Sequence, residues 1–519
     1  MKHFDKVTLS REEEALAEIG RTRIDRKQAR LVVVIFFLVL MLVPVVQLFV
    51  SIPSFELPVA SSGPFLKQVR IYNQQVIERK QAWESALEKQ SFLQHFLPFP
   101  FQLTLTKVLH TGNEKAIIGR HDWLFYERDV RYYQTPIDFQ SVSCIADFAE
   151  QLKQRGIDLF LMPVPLKPSY YPFLLSGYYP EGSRLVHPDY ERWKEALKSV
   201  GVTLIEMPET MSFLRGDTHW EVAAMEEVAD RLACEIRRIG IGADMEHYVQ
   251  EDRRVSQRGD IYSMLQGHEA LCWGEPQTIL AHQVLNERGE GILPSRESPV
   301  LLLGDSFSNI YSLQGMGWGS GAGLAEQLAY YLQLPVDAIR RNDAGSIATR
   351  RMLQQEMMRG RDRLDGKRLL VWEFAERELA FGDWTPLTLT LGNPTLDDTF
   401  IAVQSGDSIT LQGTLLERSS SPMPDKVTYA DHVIALHLLD LHTPDGEPIA
   451  GESLVYTLGM RNRELTPEAF LRAGETIVVT LRNWQDKENE YGGFNRNELD
   501  NMELLLQEPV WGEHIQRIH

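Results

Sequence analysis

The sequence predicts an α/β protein: a doubly wound, mostly parallel sheet, preceded by one transmembrane helix and followed by a smaller, sandwich-like all-β module. Three observations carry this. First, between residues 140 and 380 short apolar runs alternate with amphipathic helical stretches, the βαβα rhythm of a parallel sheet with helices on both faces. Second, Leu31 to Val50 is an apolar stretch with no charged residue, and a helix needs about 20 such residues to cross a bilayer. Third, after Trp384 helical periodicity largely stops and short alternating runs take over. At 519 residues the chain has room for two or three domains.

Taken in order, residues 1–30 are polar and end in a basic cluster, Arg21, Arg23, Arg26, Lys27 and Arg30. That cluster places the amino terminus in the cytoplasm and makes 31–52 an uncleaved anchor, with the bulk of the chain outside. A cleaved signal peptide is the alternative, but the leader is long and the apolar core exceeds a usual signal. Residues 53–97 comprise a linker, Pro53 to Pro64, and a helical pattern rich in Gln, Glu and Lys, read either as a stalk or as a solvated spacer. Residues 98–385 form the α/β domain. It opens with two strands about a turn in IIGRHDWLFYERDVRYY. IDLFLMPVP, VTLIEM, PVLLLG, VDAI and KRLLVWEFAER then read as strands separated by helices. Residues 386–519 contain LTLTLG, FIAVQ, SITLQGTLL, HVIALHLLDLH and TIVVTLRNW, most simply a β-sandwich.

The chemistry centres on PVLLLGDSFSN. Val300 to Leu303 is a short apolar run expected of a strand covered on both faces. Gly304 permits a sharp turn, and Ser306 follows the strand's carboxyl end, where open α/β sheets collect ligands. A nucleophilic serine needs a histidine base and a carboxylate to orient it, and RGDTHW offers His219 and Asp217. Alone, Ser306 reads equally as a polar loop residue, and His219 as a helix-start histidine with Asp217 as cap. A second GDS at Gly406 to Ser408 and a second D-x-H at Asp440 to His442 lie among alternating β runs and lack the strand-to-helix setting.

The backbone N–H of Ser306 is the expected first oxyanion donor, with Asn342 or the run Gly317 to Gly323 as a second. Asp305 is read as bracing the turn. Lys167 is read as a solvated loop lysine rather than a cleft residue, and the Arg258–Asp260 RGD as a turn. Trp484, Tyr491 and Phe494 are candidates for stacking on sugar rings, with core packing the leading alternative.

The net charge of −19 argues against nucleic-acid binding and disfavours polyanions unless a basic groove is local. Cys144, Cys234 and Cys272 cannot make a disulfide framework, although Cys144 and Cys272 have the option of pairing. Cys234 sits in a helical pattern at an expected buried position. There is no HExxH, no CxxC and no other metal-ligand spacing.

Taken together, GRHDWLFY, DTHW, GDSFS, GWGSGAGLAEQLA and VWEFAEREL resemble the alginate O-acetyltransferase group, the AlgJ/AlgX-like proteins with an SGNH-hydrolase-like domain. The resemblance covers residues 100–385. It includes the order in which D-x-H precedes the serine, the reverse of ordinary SGNH esterases. It implies Ser306 as nucleophile, His219 as general base and Asp217 as its orienting carboxylate. It also implies a periplasmic enzyme of a Gram-negative inner membrane that acetylates exopolysaccharide, with no cofactor of its own. The acetyl group would come from a multi-pass membrane O-acyltransferase. The segment after DTHW, EVAAM, lacks the proline or glycine many members carry. A polysaccharide acetyl esterase and a non-catalytic scaffold binding polysaccharide or the acyltransferase are the alternatives.

Overall fold

The structure is a computed structural model. It describes residues 112–519 apart from 243–245, 266–273, 343, 393–398, 425–426, 428, 500, 502–503, 505–506 and 519, together with a few positions before residue 112. Within the expected anchor, Val33, Val34, Phe37, Leu38 and Met41 are helical with exposed side chains, and the rest of 31–52 lies outside the described residues. Among the described residues no helix is long and apolar enough to cross a membrane. Of the expected stalk, Tyr72, Val76, Arg79 and Lys80 are helical; its other positions lie outside the described residues.

The α/β domain opens with an antiparallel hairpin, β1 (Ala116–Ile118) and β2 (Leu124–Tyr126). Its main sheet comprises β3 (Asp158–Val164), β4 (Thr203–Leu204), β7 (Val300–Gly304), β8 (Asp337–Arg340) and β9 (Leu369–Ala375) in the order β4-β3-β9-β7-β8, with each strand parallel to its neighbours. Between β4 and β7 the chain makes a two-stranded antiparallel excursion, β5 (Val249–Gln257) and β6 (Gln277–Leu285).

All seven residues of β9 and all five of β7 are buried; β7 is apolar throughout, and β9 is interrupted only by the buried Glu373. Helices Gln140–Lys153, Tyr190–Ser199, Val222–Arg238, Leu324–Leu332 and Ala348–Met358 supply the covering layers. Their apolar faces join one large core with Phe148, Trp193, Leu232, Leu328 and Trp372. Ser306, Asn342 and Arg377 lie just past the carboxyl ends of β7, β8 and β9, and Lys167 lies just past that of β3.

The carboxyl-terminal module is a closed β-barrel, not a sandwich. Its ring is β10 (Ser408–Arg418), β11 (His432–His442), β13 (Ser453–Arg461), β17 (Val510–Ile518) and β15 (Thr476–Asn483), and the β11–β13 pairing completes the circle; short strands β12 (Pro448–Ile449) and β16 (Asn495–Asn497) pair with β11, and β14 (Glu464–Leu465) with β13. Register shifts in β10–β11 and β15–β17 bend the long strands, and closure leaves them without free edges. Leu411, Leu436, Val455, Val479 and Leu481 fill the interior. LTLTLG and FIAVQ form no strand. The first is instead tied to helix Gln140–Lys153, where Gln151 accepts from the Leu389 N–H and donates to the Leu387 carbonyl.

Trp484 and Tyr491 lie on the helix Trp484–Tyr491 that covers the barrel's outer face. Both are buried against Tyr456 and Trp511, and Tyr491 stacks on Trp511 at 4.0 Å. Neither ring keeps a face for a sugar, so the carbohydrate-stacking expectation gives way to core packing. Cys144 is buried and free, and Cys234 is free but exposed, against its expected burial; Cys272 lies outside the described residues.

Candidate active site

Ser306 begins a single helical turn, Ser306–Asn309, directly after β7. Gly304 matters here for proximity: a Cβ on it would come within 2.3 Å of Ser308 Oγ. Asp305 caps the turn. Its Oδ1 accepts from the Phe307 N–H at 2.8 Å and its Oδ2 from the Ala375 N–H at 2.8 Å, stitching the nucleophile loop to the end of β9. The Asp305 N–H and the Ser308 hydroxyl both donate to Glu373 Oε2. Full burial, then the nearby Asp305 charge, raises the Glu373 carboxyl well above its ordinary range. With the Phe307 N–H taken, the Ser306 N–H has no acceptor among the described residues.

Asp217 and His219 sit on a tight loop between Phe213 and Trp220, which pair as an isolated bridge. The loop leads into helix Val222–Arg238, whose N-cap is Glu221, so Asp217 is not a cap. The two glycines Gly216 and Gly259 let this loop meet the Arg258–Asp260 turn: a Cβ on Gly216 would fall 2.0 Å from the Arg258 carbonyl oxygen. Gly259 also has φ of +101°.

His219 Nδ1 donates to Asp217 Oδ1 at 2.6 Å. Asp217 Oδ2 accepts from Trp318 Nε1 at 2.8 Å and from the Asp260 N–H at 2.9 Å. Asp260 in turn accepts from the Thr218 N–H and hydroxyl, each at 2.8 Å. The loop is latched to the nucleophile's turn: Trp220 Nε1 donates to the Phe307 carbonyl, and the His219 ring lies edge-on to Phe307 at 4.8 Å.

The electrostatics follow from these contacts. Burial disfavours the Asp217 carboxylate, but the His219 and Trp318 hydrogen bonds and the His219 charge outweigh it and hold Asp217 well below the usual range. Burial pushes His219 down, yet the Asp217 hydrogen bond and charge, then Asp260, carry it above its ordinary value. Burial and the Asp217 charge push Asp260 up to about 6. His219 Nε2 is buried and has no hydrogen-bond partner among the described residues. It shares with Ser306 the lining of a cavity of about 360 Å³, so the base's free nitrogen and the serine face one space without a bond between them. Catalytic hydrogen bonds often close only around substrate.

Asn342 lines the same cavity, and its Oδ1 accepts from Asn309 Nδ2 at 2.8 Å. Gly317 and Trp318 come from the glycine-rich run. Asp217, His219 and Asp260 bring three potential ligand atoms within 4.8 Å of one another. The oxygens of both aspartates are already taken by N–H and O–H donors, an arrangement suited to holding an imidazole rather than a cation.

The structure overturns the surface reading of Lys167. It is fully buried, and its Nζ donates to the Leu124 carbonyl at 2.8 Å and the Arg215 carbonyl at 3.2 Å. The rings of Trp123 and Phe125 each lie 5.7 Å away. Desolvation brings its ammonium down to about 8 despite the opposing charges of Asp217, Asp260 and Asp129. By pinning the Arg215 carbonyl it fixes the segment that carries Asp217. Asp260, Trp318 and Lys167 act through partners tens to a hundred residues away, which leave no local pattern in the sequence. The GDS at Gly406 and the D-x-H at Asp440 take no part in this cavity.

The family model for the SGNH hydrolase-like domain of acetyltransferase AlgX matches residues 116–376, just over half of the chain. The chain belongs to this AlgX acetyltransferase family. It is accordingly an O-acetyltransferase. Among curated proteins it is 25% identical over 287 residues to the probable alginate O-acetylase AlgJ of Pseudomonas aeruginosa, covering 52% of this chain and 72% of that one. It is 23% identical over 289 residues to the AlgJ of Azotobacter vinelandii, covering 52% and 70%. Among solved structures, the O-acetyltransferase domain of Pseudomonas putida AlgJ aligns with a TM-score of 0.42 and 22% identity, over 52% of this chain and 94% of that one. Pseudomonas aeruginosa AlgX aligns with a TM-score of 0.37 and 14% identity, over 71% and 91%.

Proposed function

We propose that this AlgX-family chain is a membrane-anchored periplasmic enzyme that transfers acetyl to hydroxyls of an exopolysaccharide through Ser306, His219 and Asp217. The observation that carries the reading is the Asp217–His219 pair with its Nε2 free, facing the cavity that Ser306 lines. His219 Nε2 takes the Ser306 proton as Oγ attacks the acetyl carbonyl. The tetrahedral oxyanion is met by the Ser306 N–H and the Asn342 amide. Collapse expels the donor's leaving group, which receives the proton from His219, and leaves acetyl-Ser306. A sugar hydroxyl then enters, loses its proton to Nε2 and attacks the acetyl carbon. The acetylated sugar departs as Ser306 regains its proton. Asp217 keeps the imidazole in the tautomer that presents a bare Nε2.

Alginate is the polymer named for the AlgJ relatives, and it is the acceptor proposed here. Residues 31–52 supply the anchor, and a multi-pass membrane O-acyltransferase supplies the acetyl group. The test is polymer acetylation in cells carrying Ser306→Ala at normal protein level. Loss of acetyl ester supports the assignment, and unchanged acetylation refutes it.

A further inference from the structure

Glu373 stands inside the sheet, on β9, with none of its surface exposed. Among the described residues no cation pairs with it. A buried charge without a counter-ion is strongly disfavoured, and such a group neutralises instead.

The two oxygens of Glu373 are treated unequally. Oε2 accepts from the Asp305 N–H at 2.9 Å and from the Ser308 hydroxyl at 2.6 Å. Oε1 is buried too, and it receives no donor among the described residues. The two bonds grip the nucleophile's turn on both sides of Ser306. Gly304 makes room for them: a Cβ there would lie 3.2 Å from Glu373 Oε2. Asp305 lies alongside, with each of its oxygens accepting a backbone N–H, from Phe307 and from Ala375. The Asp305 and Glu373 carboxyl groups also hydrogen-bond each other, and that bond exists only while one of them holds a proton. Oε1, which accepts nothing, is the oxygen left to carry it.

The charges facing the pair decide which residue is the acid. Arg377, past the end of β9, acts on Asp305 and is itself paired with Asp129 at 3.0 Å. Across β3 the neighbour of Glu373 is Met162, and the one charged residue of β3, Asp158, is exposed at the strand's far end. Strand β7 and the turn Ser306–Asn309 bring no charged side chain. The negative charge therefore rests on Asp305, which has the N–H donors and the arginine. Burial, then the Asp305 charge and the bond between the two carboxyls, keeps Glu373 protonated against the smaller, opposing effect of the Ser308 hydroxyl.

We propose that Glu373 is a positioning residue for acetyl transfer: as a neutral acid sharing one proton with Asp305, it holds the nucleophile's turn in the geometry that leaves the Ser306 N–H free for the oxyanion. This rests on the transferase reading above. Loss of that proton would set two carboxylates side by side in a dry interior, where like charges repel strongly. The same repulsion would part Asp305 from the Phe307 N–H and bring a second negative charge close to the forming oxyanion.

The experiment uses the full chain and two variants. Glu373→Gln keeps the accepting oxygen and puts an amide NH₂ where the acid carries its proton, whereas Glu373→Ala removes both. Infrared difference spectra of the parent against Glu373→Gln are expected to show the carbonyl band of a protonated carboxyl at about pH 7, well above the ordinary glutamate value of about 4.3. Acetylation of Ser306 by a small activated acetyl ester is expected to fall about a hundredfold in Glu373→Ala, the size of effect that a small misplacement produces, and to recover about tenfold or more of that in Glu373→Gln. Raising the pH until the band disappears should slow the parent and leave the Gln variant's rate unchanged. A parent without the band at about pH 7, or a Gln variant no faster than the Ala variant, overturns the proposal. Where Glu373→Ala does not fold, the band and the Gln variant's pH profile decide. Acetyl-Ser306 without the band sinks this inference and leaves the transferase reading standing. The band with no acetyl-Ser306 in the parent sinks the transferase reading and leaves the shared proton standing.

Discussion

Replacing Asp217 with asparagine changes one oxygen to an amide and disturbs the site in either orientation. The Asp217 carboxylate receives the His219 ring at 2.6 Å on one oxygen, and Trp318 Nε1 and the Asp260 N–H on the other. If the asparagine NH₂ faces Trp318 and Asp260, two donors lose their acceptor, at about 1–3 kcal/mol for each buried orphan. If it faces His219, Nδ1 must become the acceptor, the proton moves to Nε2, and the base toward Ser306 is gone. That tautomer error is worth roughly 10³- to 10⁴-fold in rate, or about 4–5.5 kcal/mol of transition-state stabilisation.

The residual activity changes its pH dependence. Burial alone pushes His219 down and Asp217 reverses that, so without the carboxylate the acid limb moves to lower pH. Stability carries a matching sign. The depressed Asp217 contributes above its unfolded value near 3.9, and the raised His219 contributes below its unfolded value near 6.5. The Asp217→Asn variant therefore loses most between about pH 4 and 6.5, where both contributions are present. The assay is the rate of Ser306 acetylation by a small activated ester from pH 5 to 9, with thermal unfolding over the same range. A rate within threefold of the parent would refute the reasoning.

Three further perturbations test the supporting structure. Lys167→Met strips the donor from two carbonyls, at about 1–3 kcal/mol. Because the folded Lys167 titrates below its unfolded value, the parent gains stability as pH rises from about 8 toward 10.4, and thermal unfolding of the variant should lack that gain. Asp305→Ala orphans the Phe307 and Ala375 N–H groups, so denaturant unfolding should show a loss of about 2 kcal/mol or more, with acetylation reduced in step. Trp484→Ala opens a cavity against Tyr456 and Trp511, and should cost about 3–5 kcal/mol in thermal unfolding of the barrel.

How much of this was legible depended on whether a residue's role was local. The run Val300–Leu303 announced a buried strand, and Ser306 at its end could be placed from the sequence alone. The five parallel strands followed from alternation, although VTLIEM contracts to Thr203–Leu204 because β4 pairs with β3 at only two positions. The β5–β6 hairpin leaves no signal in the sequence, because β5, VQEDRRVSQ, buries almost nothing and shows no apolar alternation. Yet Gln277 of β6 accepts from the Arg215 N–H and donates to Glu221, bracing the loop of Asp217. Strand alternation predicts a sandwich here as readily as a barrel, because it reports which face is buried and says nothing of closure. Closure rests on the pairing of β11 with β13 and the bulges that bend the strands. The burial of Lys167 has no local signature, because its acceptors, Leu124 and Arg215, are more than 40 residues away.

The most direct test of the central claim is peptide mass spectrometry of the protein after reaction with a small activated acetyl ester, beside Ser306→Ala. The account predicts one acetyl group on Ser306, absent from the variant and discharged when a sugar acceptor is added. An acetyl group on another residue, or an adduct that persists in Ser306→Ala, would contradict it.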